Sequence, residues 1–270
     1  MPPSSAPRSG ASFAVLLFAV LGAFAAGTSA ATSGPSAPLS YRFAETPGGV
    51  GAHLLRADLN RVQLKLLHAE DLGASALSAR QFLERSGATA VFNGPFFDLD
   101  GSPMGLLIVD GVERVGLRAV DWGVFQLDES GPSIVHTRDW QPRPEVRQAF
   151  QVGPRLVVDG AALTLKRQSA RRTALCVLPD GRIEVLVAGT AMWADDLAEF
   201  FVAEGCSDAL NLDGGTSSQL HLRRAGILVE EPGGVPVPVA VGLFVAKEHA
   251  EAVPPRGCRS RMGCSATAPR

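Results

Sequence analysis

Several patterns that mark common enzyme and binding-protein classes are missing from this 270-residue sequence. The net charge is only −2, which argues against a general nucleic-acid or membrane-surface binder, because such proteins carry a strong basic excess. No P-loop, no G-x-G-x-x-G after a strand and no G-x-S-x-G motif occurs, so the classes that depend on these motifs lose support. The five histidines form no H-E-x-x-H pattern and the cysteines no C-x-x-C pair, so a zinc site is not expected.

The composition that is present describes a globular protein rich in turns. Hydrophobic residues make up 46% and charged residues 19% of the chain, which excludes a disordered polypeptide. The 29 glycines and 19 prolines favour many short strands joined by turns. This length allows one large domain or two small ones.

The amino-terminal segment has the features of an export signal. Arg8 is the only charged side chain among the first 30 residues, an apolar run extends from residue 11 to about 26, and small residues 28–30 follow. This pattern predicts a cleaved signal peptide over residues 1–30 and a secreted or periplasmic protein. An uncleaved anchor is the alternative, but the run is shorter than the roughly 20 residues of a spanning helix, so no stable membrane span is expected. Residues 31–40 are predicted to form a flexible leader.

The four cysteines are consistent with two disulfides in an exported protein. Cys258 and Cys264 lie close together in a basic tail, residues 248–270, and are expected to pair with each other. That leaves Cys176 and Cys206, which either form a second disulfide or are two small buried side chains.

The order of apolar segments and turns predicts an α+β fold in one domain, residues 41–247. Asp110-Gly111 and Asp180-Gly181 each lie between apolar runs, as in β-hairpins. Only residues 77–85 and 193–203 have clear helical spacing. The prediction is therefore mixed, mostly antiparallel sheets built from hairpins, with a few packed helices.

The most informative segment is residues 208–218 (DALNLDGGTSS), where an apolar strand leads into a polar turn. Asp213 is followed by Gly214, Gly215, Thr216, Ser217 and Ser218, which gives a carboxylate, two glycines and three hydroxyls in six residues. Asp-Gly pairs occur five times in the chain, and turn geometry alone explains the others. A hairpin turn does not need the second glycine and the hydroxyls. We therefore predict that this turn binds a ligand through its hydroxyls and free N–H groups.

A second segment of the same character is residues 91–98 (VFNGPFFD). Here Asn93 and Asp98 flank Gly94 and two phenylalanines, so this loop could contact a sugar or phosphate, with Phe96 or Phe97 supplying an apolar face. The alternative is a structural turn with core phenylalanines. Two such turns suggest two walls of one site. Arg171 and Arg172 begin a buried strand, where an arginine either caps the sheet edge or makes bidentate phosphate contacts, and Arg172 is the candidate expected between the two walls.

In this order along the chain, the motifs resemble those of the phosphodiester glycosidase family over about residues 50–246. The matching segments are residues 93–98 (NGPFFD), 103–105 (PMG), 153–156 (GPRL), 172–174 (RTA) and 209–218 (ALNLDGGTSS). The last motif is specific, whereas the others are persuasive only because of their order. The chain departs from the family pattern at Pro95, Cys176, Thr216 and Val237, which stand where the family has glycine, glycine, glycine and, in many members, arginine.

The resemblance implies hydrolysis of a sugar–phosphate diester at the anomeric carbon, with release of the sugar and a phosphomonoester. It implies catalytic roles for Asp213 and Asp98 as carboxylates and for Arg172 as the phosphate-binding cation. Asn93 would position a sugar hydroxyl, and the remaining substrate contacts are expected from Gly94, Phe97 and residues 214–218. The competing hypothesis is a non-catalytic binder of glycan or phosphoglycan in the cell envelope, which the changes at Pro95 and Val237 favour.

No cofactor is required by the sequence. Asp98, Asp213 and Asn211 carry oxygen ligands suited to Ca²⁺ or Mg²⁺, but their spacing does not demand a metal. The expected partner is a small-molecule or glycan substrate that carries a phosphodiester, and no nucleic acid.

Overall fold

The computed structural model describes residues 37–224 and 226–246. The predicted signal peptide and the basic tail, including the expected Cys258–Cys264 pair, lie outside these residues. The first strand begins at Leu39, inside the segment predicted as a leader, and the Leu39 side chain is buried.

The described residues form seventeen strands, two α-helices and three short 3₁₀ helices. The strands are β1 (Leu39–Glu45), β2 (Gly51–Ala57), β3 (Val62–His68), β4 (Ala90–Asn93), β5 (Leu107–Val109), β6 (Val112–Val115), β7 (Gly123–Asp128), β8 (Gly131–His136), β9 (Gln148–Val152), β10 (Arg155–Val158), β11 (Ala161–Ala162), β12 (Ser169–Val177), β13 (Ile183–Trp193), β14 (Asp208–Asn211), β15 (Leu220–Arg224), β16 (Ile227–Glu231) and β17 (Val239–Val245). The helices are α1 (Ala79–Ser86) and α2 (Ala194–Ala203), and the 3₁₀ helices are Glu70–Leu72, Thr137–Asp139 and Gly215–Ser217.

These strands form three sheets. Sheet A has the order β1-β2-β13-β12-β14-β10-β11, sheet B the order β16-β15-β4-β17-β3, and sheet C the order β6-β5-β9-β7-β8. All neighbouring strands in the described part of the chain pair antiparallel. The fold is thus mostly β with two packed helices, and the expected mixture of parallel and antiparallel strands is corrected to antiparallel pairing. The reason is that hairpin turns, which dominate the sequence, join antiparallel neighbours.

The largest apolar cluster is shared by the three sheets. It contains Leu175 and Leu210 from sheet A, Phe92 from sheet B, and Phe125 and Phe150 from sheet C. The Phe125 and Phe150 rings are stacked with centroids 5.2 Å apart. Because side chains alternate along a strand, each sheet sends every second residue into this core and leaves the other face for a helix or solvent.

The two helices cover outer faces of sheets A and B. Leu197, Phe200 and Phe201 of α2 pack against the outer face of sheet A, as the helical spacing predicts. The helix α1 begins with a capping box, in which the side chains of Ser78 and Gln81 satisfy each other's backbone N–H groups. Neither helix has the length and apolarity to cross a bilayer, and this holds for every helix in the described residues.

A disulfide joins Cys176 of β12 to Cys206, just after α2, and so decides between the two alternatives for these cysteines. The bridge spans 30 residues of sequence and ties the strand that precedes the β13 hairpin to the end of the helix. In the chain-entropy model, closing a loop of this length stabilises the fold by about 3.5 kcal/mol.

The Asp213 turn differs in backbone conformation from two of the other Asp-Gly pairs. Asp110 and Asp159 have positive φ angles of 50° and 49°, and the glycines after them are also positive, as two-residue hairpin turns require. Gly214, in contrast, is extended with φ −125° and leads into the 3₁₀ helix Gly215–Ser217. The Asp213 turn is therefore not a hairpin turn.

Candidate functional site

The two polar turns of the sequence are in direct contact in the structure. Asn93 ends β4, and Asp213 follows β14 by two residues. The Asn93 side-chain amide donates to the Asp213 carbonyl oxygen at 2.7 Å, and the Asp213 N–H donates to the Gly94 carbonyl oxygen at 3.3 Å. Residues 120 positions apart thus form one junction between sheets A and B.

Asn93 has no exposed surface. Its side-chain oxygen accepts a hydrogen bond from the Thr173 hydroxyl at 2.7 Å and from the Gln219 N–H at 3.1 Å. These bonds, with the one to Asp213, use the amide for protein contacts, so Asn93 positions the turn. The sequence predicts that this side chain contacts a sugar hydroxyl. In the structure β4 places Asn93 in the interior between the sheets, where its side chain has no exposed surface.

Gln219 fixes the other end of the same turn. Its side-chain oxygen accepts from the Ala79 N–H at 2.6 Å, at the start of α1, and its amide nitrogen donates to the carbonyl oxygens of Ser217 and Val235, each at 3.1 Å. Asn93 and Gln219 together connect the turn to sheet A, sheet B and α1.

Asp213 is the half-buried carboxylate of this junction. Burial raises the pKa of its carboxyl group, while hydrogen bonds from the Ser217 side chain and the Gly214 N–H lower it, and burial is the larger effect. The Gly214 N–H lies 2.9 Å from Oδ1. A carboxyl group with a raised pKa can exchange a proton nearer to neutral pH than an exposed aspartate can.

The glycines of the turn permit close backbone packing. A Cβ on Gly214 would lie 2.8 Å from the Arg171 carbonyl oxygen, so no other residue fits without a shift. Gly215 has φ +60°, which favours glycine. The backbone N–H groups of Gly215 and Thr216 make no hydrogen bond within the described residues.

Only part of residues 214–218 lies at the surface. Gly214 and Gly215 are half-buried and Thr216 is exposed, whereas Ser217 and Ser218 are buried. The Ser217 side chain bonds the Asp213 carboxylate. The Ser218 hydroxyl has no hydrogen-bond partner among the described residues.

The other predicted wall, residues 94–98, has a different character. Gly94 is buried, and its N–H donates to the Val239 carbonyl oxygen at 3.1 Å. Phe97 is half-buried and packs with the apolar cluster of α1. Asp98 is exposed and accepts from the Leu99 N–H at 2.9 Å, as the cap of its own turn. Within residues 37–224 and 226–246, no hydrogen bond or ion pair joins Asp98 to Asp213.

Arg172 is buried, with 5% of its surface exposed. Its guanidinium donates to the carbonyl oxygens of Met192, at 3.3 Å, and Gln168, and to the Asn211 side-chain oxygen at 3.3 Å. Burial lowers its pKa, but an arginine stays charged. Its contacts therefore stabilise the ends of β12 and β13 and orient Asn211, two residues before Asp213.

Arg171, which lies on the same strand but was not the arginine chosen from the sequence for phosphate binding, points to the opposite side. It reaches from sheet A to the β15–β16 edge of sheet B, where Nη2 donates to the carbonyl oxygens of Ser218, at 2.9 Å, and Pro232, at 2.8 Å. The same nitrogen pairs with the Glu231 carboxylate at 2.8 Å. This arginine thus borders the end of the Asp213 turn.

Trp122 is a second residue that sequence reasoning missed. Its ring lies 5.1 Å from that of Phe96, centroid to centroid, and a Cβ on Gly153 would lie 2.8 Å from its Cδ1. Phe96 follows the Asn93 turn, and the Gly153 carbonyl oxygen accepts from the Asn211 side chain at 3.4 Å. The half-buried Trp122 therefore contacts both segments that form the junction. An aromatic side chain in the polar segment before β7 was the available signal.

The sequence offers Asp98, Asp213 and Asn211 as oxygen ligands for a metal ion. No group of three or more His, Cys, Asp or Glu side chains suited to a metal ion occurs in the part of the chain that the structure describes. Of the three residues that the sequence offers as ligands, Asn211 already bonds Arg172 and Gly153, and Asp98 caps a turn.

A cavity of about 1100 Å³ lies elsewhere, at the other end of sheet B. It is lined by the start of β3 and by residues 244–246 at the end of β17, whereas Asn93 pairs with Ala240 near the start of β17. None of the predicted site residues lines it. The residues that carry chemistry therefore do not coincide with this cavity.

Known structures share this fold. The catalytic domain of zebrafish N-acetylglucosamine-1-phosphodiester alpha-N-acetylglucosaminidase, auto-inhibited by its pro-peptide, is similar with a TM-score of 0.62 and 16% identity, over 76% of this chain and 82% of that one. A hypothetical protein from Synechocystis gives 0.58 and 15%, over 77% of this chain and 62% of that one. A putative exported protein from Burkholderia pseudomallei gives 0.54 and 14%, over 72% and 74%. At these identities the likeness shows the fold alone.

Comparison with curated protein sequences gave no significant match. The family model for phosphodiester glycosidases matches residues 86–246, which is more than half of the chain and includes both polar turns. The chain therefore belongs to the phosphodiester glycosidase family.

Proposed function

We propose that this protein is an exported hydrolase that cleaves a sugar–phosphate diester at the anomeric carbon and releases the sugar and a phosphomonoester. The observation that carries the proposal is the half-buried Asp213, whose pKa is raised by burial, on a turn held by Asn93 and Gln219 in a member of the phosphodiester glycosidase family. Such a carboxyl group can transfer a proton or attack the sugar carbon without moving the backbone around it.

The chemistry asks little of a proton donor. A phosphomonoester is a good leaving group, so catalysis would depend on stabilising positive charge at the sugar carbon and negative charge on the departing phosphate. Asp213 would supply the carboxylate. The free N–H groups of Gly215 and Thr216 and the exposed Thr216 side chain would face the substrate.

The catalytic roles of Asp98 and Arg172 have less support, because each residue would first have to break an existing hydrogen bond. Asp98 would have to leave its cap on the 98–101 turn to act as a second carboxylate. Arg172 would have to release the Gln168 carbonyl oxygen before it could bind phosphate. If both carboxylates act, their separation decides the outcome, with about 5 Å giving retention and about 6.5 Å or more giving inversion of the anomeric configuration.

Export is proposed from the amino-terminal pattern of the sequence, and two findings support it. The Cys176–Cys206 disulfide is typical of proteins that fold in an oxidising compartment. One protein of similar structure is described as a putative exported protein.

The second candidate is a non-catalytic binder of a glycan or phosphoglycan, and Pro95 favours it because it removes one backbone N–H from the Asn93 turn. Val237 carries less weight, because its side chain packs in the apolar cluster under α1. Incubation with an aryl or nucleotide sugar-phosphate diester, with detection of released sugar, separates the two. Release that is absent in Asp213→Asn supports the hydrolase, whereas saturable binding without release supports the binder.

A further inference from the structure

We propose that Arg171, and not Arg172, supplies the cation of a phosphate subsite beside the Asp213 turn; the assignment to a substrate phosphate rests on the proposed function. The two arginines are neighbours on β12, and neighbouring side chains on a strand point to opposite faces. A register shift between Ala170 and Arg172 in the β12–β13 pairing accompanies this change of direction.

The hydrogen bonds of the two guanidinium groups differ. Arg172 uses Nε, Nη1 and Nη2, each with a protein acceptor, and is buried on the α2 side of sheet A. Arg171 places all its acceptors on Nη2, while its Nε is buried without a partner and its Nη1 makes no hydrogen bond within the described residues. Its side chain keeps 26% of its surface exposed. Arg171 therefore retains Nη1 as a donor for an anion, in addition to the buried Nε that has no protein partner.

The position of Arg171 is fixed on both sides. Its carbonyl oxygen lies so close to Gly214 that a Cβ added to this glycine would be only 2.8 Å from it. Its guanidinium donates to the Ser218 carbonyl oxygen. The arginine thus contacts the Asp213 turn at its start and at its end. An anion bound between Nη1 of Arg171 and the exposed Thr216 would lie along the same turn as the Asp213 carboxylate.

Glu231 positions the guanidinium. Its carboxylate pairs with Arg171 at 2.8 Å and lies 3.5 Å from Nε2 of His53, whose Nδ1 is 3.1 Å from the Tyr41 hydroxyl. A Cβ on Gly189 would overlap with this carboxylate, so the glycine makes room for it. The chain from Tyr41 to Arg171 connects the β1–β2 edge of sheet A to β16 of sheet B. Because Glu231 contacts only Nη2 of Arg171, this chain of contacts orients the guanidinium and leaves Nη1 and Nε of Arg171 unused.

The test measures binding of inorganic phosphate and of a sugar 1-phosphate by calorimetry, with no turnover needed. Arg171→Ala should weaken both affinities about 10- to 100-fold, because a hydrogen-bonded charge pair is lost. Arg171→Lys should recover part of the loss, since it keeps the charge without the planar fork.

Two control variants separate this effect from a general loss of charge or stability. Arg182→Ala, which removes a cation paired with Asp180 at the β12–β13 turn, should change neither affinity. Arg172→Lys should lower the melting temperature and leave phosphate affinity near that of the wild type.

The proposal is overturned if folded Arg171→Ala binds phosphate as the wild type does, if the wild type binds neither ligand, or if Arg172→Lys weakens binding as much as Arg171→Ala at an unchanged melting temperature. A phosphate-free aryl glycoside adds a second readout, because loss of Arg171 should raise KM only for substrates with a phosphate. Failure to hydrolyse any phosphodiester, with phosphate binding still dependent on Arg171, would remove the proposed function and keep the subsite. Phosphodiester hydrolysis with unchanged kinetics in Arg171→Ala would remove the subsite and keep the proposed function.

Discussion

The turns at residues 93–98 and 211–218 resemble each other in sequence and differ in the structure. Each follows a buried strand and carries a carboxylate, glycine and polar side chains. The Asp213 carboxylate is half-buried and bonded by its own turn, whereas Asp98 is exposed and caps a surface turn. The 93–98 turn contributes a buried amide, Asn93, that holds the other turn in place. Similar composition therefore does not give equal environments, and burial and hydrogen-bond partners distinguish the carboxylate proposed to react from the amide that supports its turn.

The largest expected effect separates the two carboxylates. Asp213→Asn should lower kcat on a sugar-phosphate diester by about 10²- to 10⁴-fold, the range for loss of a positioned acid–base group, with the fold intact. Asp98→Asn, which removes an equal charge from an exposed turn, is the matched control and should change kcat little. Steady-state kinetics with both variants checks this. Equal losses would restore Asp98 as a partner in catalysis, and near-wild-type turnover in Asp213→Asn would remove Asp213 from the mechanism.

The next effect concerns stability. Asn93→Ala leaves the Thr173 hydroxyl, the Gln219 N–H and the Asp213 carbonyl oxygen without their shared partner, and each buried orphan costs about 1–3 kcal/mol. The free energy of unfolding should therefore fall by about 3 kcal/mol or more. Urea denaturation measures it, with Asp98→Ala as the control, for which loss of one exposed turn cap should cost about 1 kcal/mol or less. If Asn93→Ala lowered the free energy of unfolding as little as the control, water would have to replace the amide as the hydrogen-bond partner of these three groups.

The contrast between the two arginines also shows what the sequence could and could not predict. The Asp-Gly hairpins, the helical spacing at residues 193–203 and the two polar turns are local patterns, and each corresponds to a feature of the structure. Strand alternation places Arg171 and Arg172 on opposite faces, but which of them borders the Asp213 turn depends on how sheet B packs against sheet A, which composition does not reveal. Asn93 was expected to position a sugar hydroxyl, and the sequence does not show its burial because the residues of a strand end and a turn are the same whether or not sheets pack over them.

Trp122 illustrates a second limit. Its neighbours, Phe96 and Gly153, are 26 and 31 residues away along the chain, so only the packing of sheet C against the junction brings them together. The same holds for Gln219, whose partners at Ala79 and Val235 belong to different elements. Long-range contacts of this kind follow from topology, which the motifs do not encode.

A smaller effect compares a glycine of the Asp213 turn with a glycine of the 98–101 turn that Asp98 caps. In Gly214→Ala the new Cβ would lie 2.8 Å from the Arg171 carbonyl oxygen, so the turn must shift, at a cost of about 1–3 kcal/mol, and the Asp213 carboxylate would move with it. Gly101→Ala has φ +87° but no atom within 4 Å of the added carbon, so only backbone strain of about 1 kcal/mol is expected. Thermal unfolding and kcat measured together should show loss of both in Gly214→Ala and of stability alone in Gly101→Ala. Full activity in Gly214→Ala would mean that the position of Asp213 is not critical.

The smallest effect is the pH dependence of stability that Asp213 contributes. Because burial raises its pKa in the folded state above the value of about 3.9 for an unfolded chain, the folded protein holds this proton more tightly. The contribution to stability is complete below the unfolded pKa and is lost as the pH rises through the folded pKa. Asp213→Asn should thus gain stability relative to the wild type as the pH rises from about 4, by at most about 1.4 kcal/mol per pH unit, and level off once Asp213 is ionised in both states. Urea denaturation of both proteins between pH 3.5 and 8 measures this difference, and Asp98→Asn controls for the loss of one surface charge. A relative stability of Asp213→Asn that falls with rising pH would show that the fold favours the ionised carboxylate, and a proton-transfer role near neutral pH would then lose its basis.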